Sequence, residues 1–161
     1  MRRLAYAIIL ITMAAGCAMK PAPLYRDQRS SLEGRLPQVR RDDLMNELSM
    51  YHGTRYEEGG SSLSGGDCSG LVHSVFGSLG IPLARTTKDQ FKQGIPVSRR
   101  DVRTGDLIFF GDTGVPTHVG IAVSGTEMMH ASSSKGVVLE DIDSFSRVIA
   151  LAGIRRVARL D

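Results

Sequence analysis

The stretch Asp67–Gly80 reads DCSGLVHSVFGSLG, and its pattern guides the interpretation of the rest of the chain. Its apolar residues recur at the three- and four-residue spacing of one helix face: Leu71, Val72, Val75, Phe76 and Leu79. Asp67 stands immediately before this run, where a carboxylate can cap free backbone amides, and Gly80 ends it. The sequence therefore predicts a helix that carries Cys68 in its first turn.

The position of Cys68 has a chemical consequence. The unpaired amides of a helix N-terminus carry partial positive charge, which stabilises a thiolate over a thiol. We therefore expect the pKa of the Cys68 thiol to be lowered, which would make it a good nucleophile. The alternative is an inert buried side chain, the commoner role of a single cysteine.

The elements around this helix predict the fold class. An earlier helix follows Asp42 or Asp43, and a short one starts at Thr86 or Thr87 and ends by Gly94. After residue 100 the pattern alternates, which favours strands at Leu107–Phe110, Thr117–Val123, Thr126–Ala131 and Val137–Leu139. Residues 147–157 would also suit a helix, and we interpret them as a further strand. Helices followed by strands predict an α+β fold in which helices pack on an antiparallel sheet.

Length and composition exclude several classes of protein. The chain has 161 residues, 42% hydrophobic and 23% charged, which suits one compact domain. A formal charge of +3, with 6% aromatic residues and no Trp, provides neither a strong basic surface nor stacking rings for nucleic acid. We therefore expect no nucleic-acid partner.

The amino terminus predicts export. Two arginines precede an apolar run from Leu4 to Ala15, which is too short to span a membrane. The small residues before Cys17 resemble the bacterial lipobox, in which a peptidase cuts before a cysteine that then carries lipid. An ordinary secretory signal cut nearby is the alternative. We predict a signal peptide at residues 1–16, a flexible tether at 17–41 and one domain at 42–161.

Two histidines fall on neighbouring predicted strands. His118 alternates with the apolar residues of its strand and shares a face with Gly120 and Ala122, a small-residue face against which the Cys68 helix could pack. A tight turn at Ser124-Gly125 leads to the next strand, and such a hairpin would set His130 beside His118. A zinc site formed by Cys68 and both histidines competes with this hypothesis, but the usual paired-ligand spacing is missing.

The other histidines and the cysteine count have simpler interpretations. His52 follows the first helix and His73 lies on the Cys68 helix, so both are expected at solvent or at an edge. An even number of cysteines in a small exported protein would first be interpreted as one disulfide. A lipidated Cys17 and a nucleophilic Cys68 would instead have separate roles. Removal of residues 1–16 would also leave a nearly neutral chain, since Arg2 and Arg3 are lost.

Together, seven short motifs resemble the NlpC family of bacterial cell-wall cysteine endopeptidases. They are Gly53-Thr54-Arg55-Tyr56, Gly59-Gly60-Ser61-Ser62, Asp67-Cys68-Ser69-Gly70-Leu71-Val72, Arg85-Thr86-Thr87, Gly105-Asp106-Leu107, His118-Val119-Gly120-Ile121 and Met129-His130-Ala131. The resemblance covers the whole predicted domain in order, and the short single-domain lipoproteins of the family look most similar. It implies a papain-like α+β fold.

The resemblance also implies roles for individual residues. Cys68 matches the nucleophile, His118 the general base and His130 the third polar residue that orients the base. Tyr56 matches a tyrosine whose hydroxyl faces the reacting carbonyl or the substrate, although a packing role is the alternative. The remaining matches, near the groove, have substrate-binding or structural roles: Asp67, Ser69 and Arg85. No cofactor or metal is implied.

The implied reaction is hydrolysis of an amide bond in peptidoglycan stem peptides through an acyl-enzyme on Cys68. The bond would be the D-alanyl to diaminopimelyl cross-link or the γ-D-glutamyl to diaminopimelyl bond. Glu58 stands where the family usually has an apolar or aromatic residue, so the finer specificity stays open. The alternatives are an idle peptidoglycan-binding lipoprotein and a thiol peptidase or transferase for another γ-linked or D-amino-acid peptide.

The expected setting follows from the predicted anchor. Lipid on Cys17 would hold a monomeric domain at a membrane outside the cytoplasm. By resemblance, Ala18 after the modified cysteine favours, in a Gram-negative host, the outer membrane facing the periplasm. The expected partners are therefore the lipid membrane and the peptidoglycan substrate.

Overall fold

The computed structural model describes Gln28, residues 30–112 and residues 114–161. The predicted signal peptide and Cys17 lie outside the described residues. The helices are α1 Arg41–Tyr51, α2 Cys68–Ser78, α3 Thr87–Gln90 and α4 Ile142–Ser146, with a 3₁₀ turn at Arg99–Asp101. The strands are β1 Gln38–Val39, β2 Ser61–Ser62, β3 Gly65–Gly66, β4 Ile95–Pro96, β5 Leu107–Asp112, β6 Val115–Ala122, β7 Glu127–Ser132, β8 Gly136–Asp141, β9 Leu151–Arg156 and β10 Arg159–Leu160.

A six-stranded antiparallel sheet forms the centre of the described fold, in the order β4-β9-β5-β6-β7-β8. One face packs against α1 and α2, and the other packs against α4 and the segments beside it. The predicted α+β class with helices on an antiparallel sheet is confirmed. Within the part of the chain that the structure describes, no helix is long and apolar enough to cross a bilayer.

Helix α2 forms for the local reasons that its sequence indicates. The carboxylate of Asp67 accepts the backbone N–H of Gly70 at 2.6 Å, which is the expected cap. Leu71, Val72 and Val75 are almost completely buried against the sheet. Burial of each such side chain contributes about 1.5–3 kcal/mol, so packing rather than helix propensity holds α2 in place.

Glycine at position 70 lets a loop approach the first turn of α2. A Cβ atom added at Gly70 would lie 2.0 Å from the carbonyl oxygen of Gly60. That carbonyl also accepts the backbone N–H of Asp67 at 3.1 Å. The Gly59-Gly60 loop is therefore held close to the residues that flank Cys68.

The packing of α2 differs from the sequence-based expectation. Cys68 and the apolar side of α2 lie in one core cluster with Val119 and Ile121 of β6, not against the small residues Gly120 and Ala122. The prediction was wrong because α2 is itself apolar and gains more by covering branched side chains. The small-residue face serves another purpose: a Cβ at Gly120 would lie 3.2 Å from the Cβ of His130.

The folded unit begins before the predicted boundary at residue 42. Strand β1 pairs in parallel with β10, and Val39 is 8% exposed within the core cluster. Farther upstream, Glu33 forms an ion pair with the buried Arg156. The last part of the predicted tether is therefore packed on the domain, because it finds partners in the C-terminal residues that its own composition could not reveal.

Candidate active site

Cys68 is a free cysteine at the first position of α2, with 8% of its surface exposed. Its Sγ lies 3.9 Å from the hydroxyl oxygen of Thr87. Burial raises the pKa of the thiol, and the nearby Asp67 carboxylate raises it further, against backbone hydrogen bonds from Val119 and Ser69 and a side-chain bond from Thr87. The predicted lowering is therefore wrong: desolvation exceeds the effect of the helix N-terminus.

The structure brings His118 and His130 together, as the hairpin predicts. His118 Nε2 and His130 Nδ1 are 2.8 Å apart, and the ring centroids are 4.9 Å apart. His118 immediately precedes Val119, whose backbone amide bonds the Cys68 thiol. The thiol therefore meets β6 at the residue next to His118.

A carboxylate extends this chain of contacts. His130 Nε2 lies 3.0 Å from one oxygen of Glu140, and the other oxygen accepts a bond from the Lys135 ammonium at 2.7 Å. Phe145 of α4 packs against both imidazoles, with ring centroids 5.3 Å from His118 and 4.9 Å from His130. The two rings are therefore held by polar contacts at their nitrogens and by an aromatic wall.

Both imidazoles are neutral at neutral pH. Burial lowers the pKa of His118 to about 4, and the neighbouring His130 adds to that effect. Burial also lowers the pKa of His130, although Glu140 opposes it. A neutral thiol and a neutral imidazole are the resting forms that follow, in place of a thiolate and an imidazolium.

Asp67, Ser69 and Arg85 form one polar cluster beside Cys68. The Arg85 guanidinium donates to both carboxylate oxygens of Asp67, at 2.7 and 2.9 Å, and to the Ser69 hydroxyl at 3.0 Å. Burial opposes ionisation of Asp67, but the bonds from Arg85, Gly70 and Gly59 hold its pKa below the usual range. The cluster therefore holds the Asp67 carboxylate and the Arg85 guanidinium in fixed positions close to the thiol.

Tyr56 lies close enough to Cys68 and Asp67 for their charges to act on its phenol. It is partly buried against the core and bridges to the backbone of Gly66. Burial raises the pKa of the Tyr56 phenol, and the charges of Cys68, Asp67 and Glu58 raise it further. Tyr56 thus stays protonated and can donate a hydrogen bond near Cys68, and Glu58 is close enough to affect it.

His52 and His73 lie outside the strands that carry His118 and His130. His52 is exposed after α1, and His73 bonds the Leu83 carbonyl at 2.7 Å. Among the residues described, no group of three or more His, Cys, Asp or Glu side chains is arranged to hold a metal ion.

Glu140 and Phe145 were not identified from the sequence. The pairing of β7 with β8 places His130 opposite Val138, and Glu140 lies two residues farther along the same face. An alternation argument extended to β8 could have found Glu140 if the hairpin register were known. No local signal marks Phe145, because it reaches the histidines from a short helix after the strand.

Alkylation of Cys68 by iodoacetamide is expected to accelerate only as the pH rises above the ordinary thiol pKa of about 8.5. The cause is burial, which disfavours the thiolate. Rates measured from acid to alkaline pH, with free cysteine as the reference, would test this. A reactivity plateau beginning near pH 5 would instead indicate a thiolate and imidazolium pair.

Known proteins resemble this chain in sequence over most of the described domain. The model of the NlpC/P60 family matches residues 53–153. A murein DD-endopeptidase/LD-carboxypeptidase, MepS, of Escherichia coli (strain K12) is 39% identical over 101 residues, which cover 62% of this chain and 54% of that protein. The probable endopeptidase NlpC of the same organism is 34% identical over 146 residues, which cover 86% of this chain and 90% of that one.

Solved structures share the fold. The crystal structure of an NlpC/P60 family protein from Bacillus cereus superposes with a TM-score of 0.68 at 32% identity, covering 76% of this chain and 41% of that one. The match in sequence spans Cys68, His118 and His130, whose surroundings are described above. The chain therefore belongs to the NlpC/P60 family.

Proposed function

We propose that this protein is a lipid-anchored peptidoglycan endopeptidase that works through Cys68, His118 and His130. The observation that carries the proposal is a buried thiol at a helix N-terminus that the backbone of Val119 bonds, with the preceding residue, His118, hydrogen-bonded to His130. Family membership supports the substrate class, since relatives are named for murein and for γ-glutamyl bonds.

In the proposed mechanism His118 takes the Cys68 proton as the sulfur attacks the carbonyl carbon of the scissile amide. The backbone N–H of Cys68 and the hydroxyl of Tyr56 stabilise the oxyanion. His118 then protonates the leaving amine, and water resolves the acyl-enzyme with His118 as base. A neutral resting pair suits this sequence, because His118 enters it as a base.

The cluster of Asp67, Ser69 and Arg85 would bind the acyl side of the substrate. Its fixed charges lie beside the thiol and could recognise the ionic groups of a stem peptide. Two bonds fit the family: the D-alanyl to diaminopimelyl cross-link and the γ-D-glutamyl to diaminopimelyl bond. The name of the murein DD-endopeptidase relative favours the first.

Digestion of purified murein, with the released fragments identified by mass, tests this proposal. Cleavage of cross-linked dimers into monomers would indicate the D-alanyl bond, and release of truncated stems would indicate the γ-D-glutamyl bond. Intact murein after incubation with the protein would contradict the proposal and favour an idle binding protein. Cleavage of only non-murein γ-linked peptides would favour the alternative thiol peptidase.

Lipidation of Cys17 remains a prediction from sequence. Since Glu33 is tied to Arg156, the chain between Cys17 and Glu33 could extend at most ~55 Å, which keeps the domain close to its membrane. Cys17→Ser is expected to release the protein from the outer-membrane fraction into the periplasm. Fractionation checks this, and retention of the variant in the membrane fraction would argue against lipidation.

A further inference from the structure

We propose that Glu140 is a positioning residue for this site: through its contact with His130 it selects the ring tautomers that leave His118 Nδ1 free to accept the Cys68 proton. The inference deepens the proposed function and rests on it. The contacts form one continuous chain from Lys135 through Glu140 and His130 to His118.

Lys135 keeps Glu140 negatively charged. Lys135 donates to Glu140 Oε1, and this bond is the main cause that lowers the pKa of the carboxyl group. Glu140 is therefore a carboxylate and can only accept hydrogen bonds. His130 Nε2, at 3.0 Å from Glu140 Oε2, must carry the proton and donate it.

The position of the proton on His130 fixes the position of the proton on His118. Buried His130 is neutral, with 1% of its surface exposed, so a proton on Nε2 leaves Nδ1 with a lone pair. Nδ1 must accept from His118 Nε2 across 2.8 Å. His118 then carries its proton on Nε2, and the lone pair on Nδ1 is left for the thiol.

The proton then moves from Cys68 to His118. When Cys68 attacks, the S–H bond breaks and its proton forms a bond to His118 Nδ1, while the sulfur electrons form the bond to carbon. His118 becomes an imidazolium that still donates from Nε2 to His130. The Glu140 carboxylate favours this charge at a distance, since its field opposes the lowering of the His118 pKa by burial.

Phe145 keeps both imidazole rings in these orientations. It packs against both rings, and the missing Cβ at Gly120 lets His130 lie close to β6. Rotation of either ring to exchange its nitrogens would need this packing to open. The proton positions are therefore set by Glu140 rather than by ring flips.

The variant Glu140→Gln tests whether Glu140 selects the ring tautomers or only fills space, because glutamine fills nearly the same volume. The Lys135 ammonium can only donate, so it attracts the oxygen of the new amide and leaves the NH₂ group facing His130 Nε2. His130 must then carry its proton on Nδ1 and donate to His118 Nε2. This reverses both rings and places a proton on His118 Nδ1, where the thiol proton should go.

The expected result is a fall in kcat/KM of at least about 100-fold for Glu140→Gln, the kind of loss that a wrong tautomer causes in a catalytic triad. Nitrogen NMR of the imidazoles should show protonated Nε2 in both rings of the wild type and protonated Nδ1 in both rings of the variant. Glu127→Gln, at the exposed start of β7, is the matched control and should change neither readout.

A second variant protects the test against a folding defect. Lys135, with a side chain 61% exposed, can be replaced by Met at a cost of less than about fivefold in kcat/KM. In the double variant Lys135→Met/Glu140→Gln, the amide can turn its oxygen to His130. The wild-type tautomers and most of the activity should then return.

The outcomes are distinguishable. Unchanged tautomers in Glu140→Gln, or a double variant that stays reversed and inactive, would overturn the role of Glu140. Reversed tautomers in a protein whose wild type leaves murein intact would support the role of Glu140 and contradict the proposed function instead.

Discussion

Cys68→Ala is expected to reduce the rate of murein hydrolysis by a factor of at least about 10³, because the proposed mechanism loses its nucleophile and with it the acyl-enzyme. The protein should still fold. The change removes only the sulfur atom of Cys68, a residue with 8% of its surface exposed, and it leaves the Asp67 cap of α2 intact. Release of soluble muropeptides and a thermal unfolding curve, measured on the same preparation, check both halves of this prediction.

The companion variant is His118→Ala, which should cost about as much as Cys68→Ala. The double variant should be little worse than either, because in the proposed mechanism the nucleophile and its base act as one unit. Ser78→Ala, at the far end of α2, is the control for changes to the helix alone. Hydrolysis by Cys68→Ala at the wild-type rate would remove this thiol from the mechanism.

Arg156→Met is expected to lower the free energy of unfolding by about 3–5 kcal/mol, the usual cost of stripping one partner from a buried ion pair. Arg156 is 4% exposed and Asp106 is completely buried. The guanidinium donates to both carboxylate oxygens at 2.8 Å and to the Asp101 carbonyl at 3.0 Å. Without it, Asp106 keeps only the backbone N–H of Arg103, at 2.8 Å, among the partners described for it.

Urea unfolding followed by circular dichroism measures this effect. The double variant Arg156→Met/Asp106→Asn should recover a large part of the loss, since the asparagine is neutral and its carbonyl can still accept from Arg103. Arg159→Met, at an exposed residue of β10, is the matched control and should cost less than about 1 kcal/mol. A loss below that value for Arg156→Met would show that the buried pair contributes little.

Arg156 also connects the core to the chain upstream. Its ion pair with Glu33 and the pairing of β1 with β10 hold residues before α1 on the domain. Because Arg156→Met removes this ion pair, we expect proteolytic cleavage to increase first in the residues before α1 and only later near the site residues. This link could not be predicted because Glu33 and Arg156 are 123 residues apart.

The elements that the sequence predicts correctly depend on local interactions. Helix α2 follows from the Asp67 cap and from apolar residues three and four positions apart, which are contacts within a few residues. The β6–β7 hairpin follows from alternation on both sides of Ser124-Gly125. Those two features place Cys68, His118 and His130 on elements that can meet, and the motifs around them identify the family.

The features that the sequence misses depend on contacts between distant segments. Two-residue strands such as β1 and β10 form only because each has the other as a partner. Glu140 reaches His130 because the β7–β8 register places it there, and that register depends on the turn between them. The sequence contains these residues, but no local pattern distinguishes them from ordinary surface positions.

The charge state of the Cys68 thiol shows most clearly what the sequence determines and what depends on the tertiary structure. The sequence alone places Cys68 at a helix N-terminus, and the local dipole argues for a thiolate. Burial of that helix end against β6 and the neighbouring Asp67 raise the pKa instead. Position along a helix is a local property that residues encode directly, whereas desolvation depends on everything that packs around the sulfur, so it becomes known only when the chain is folded.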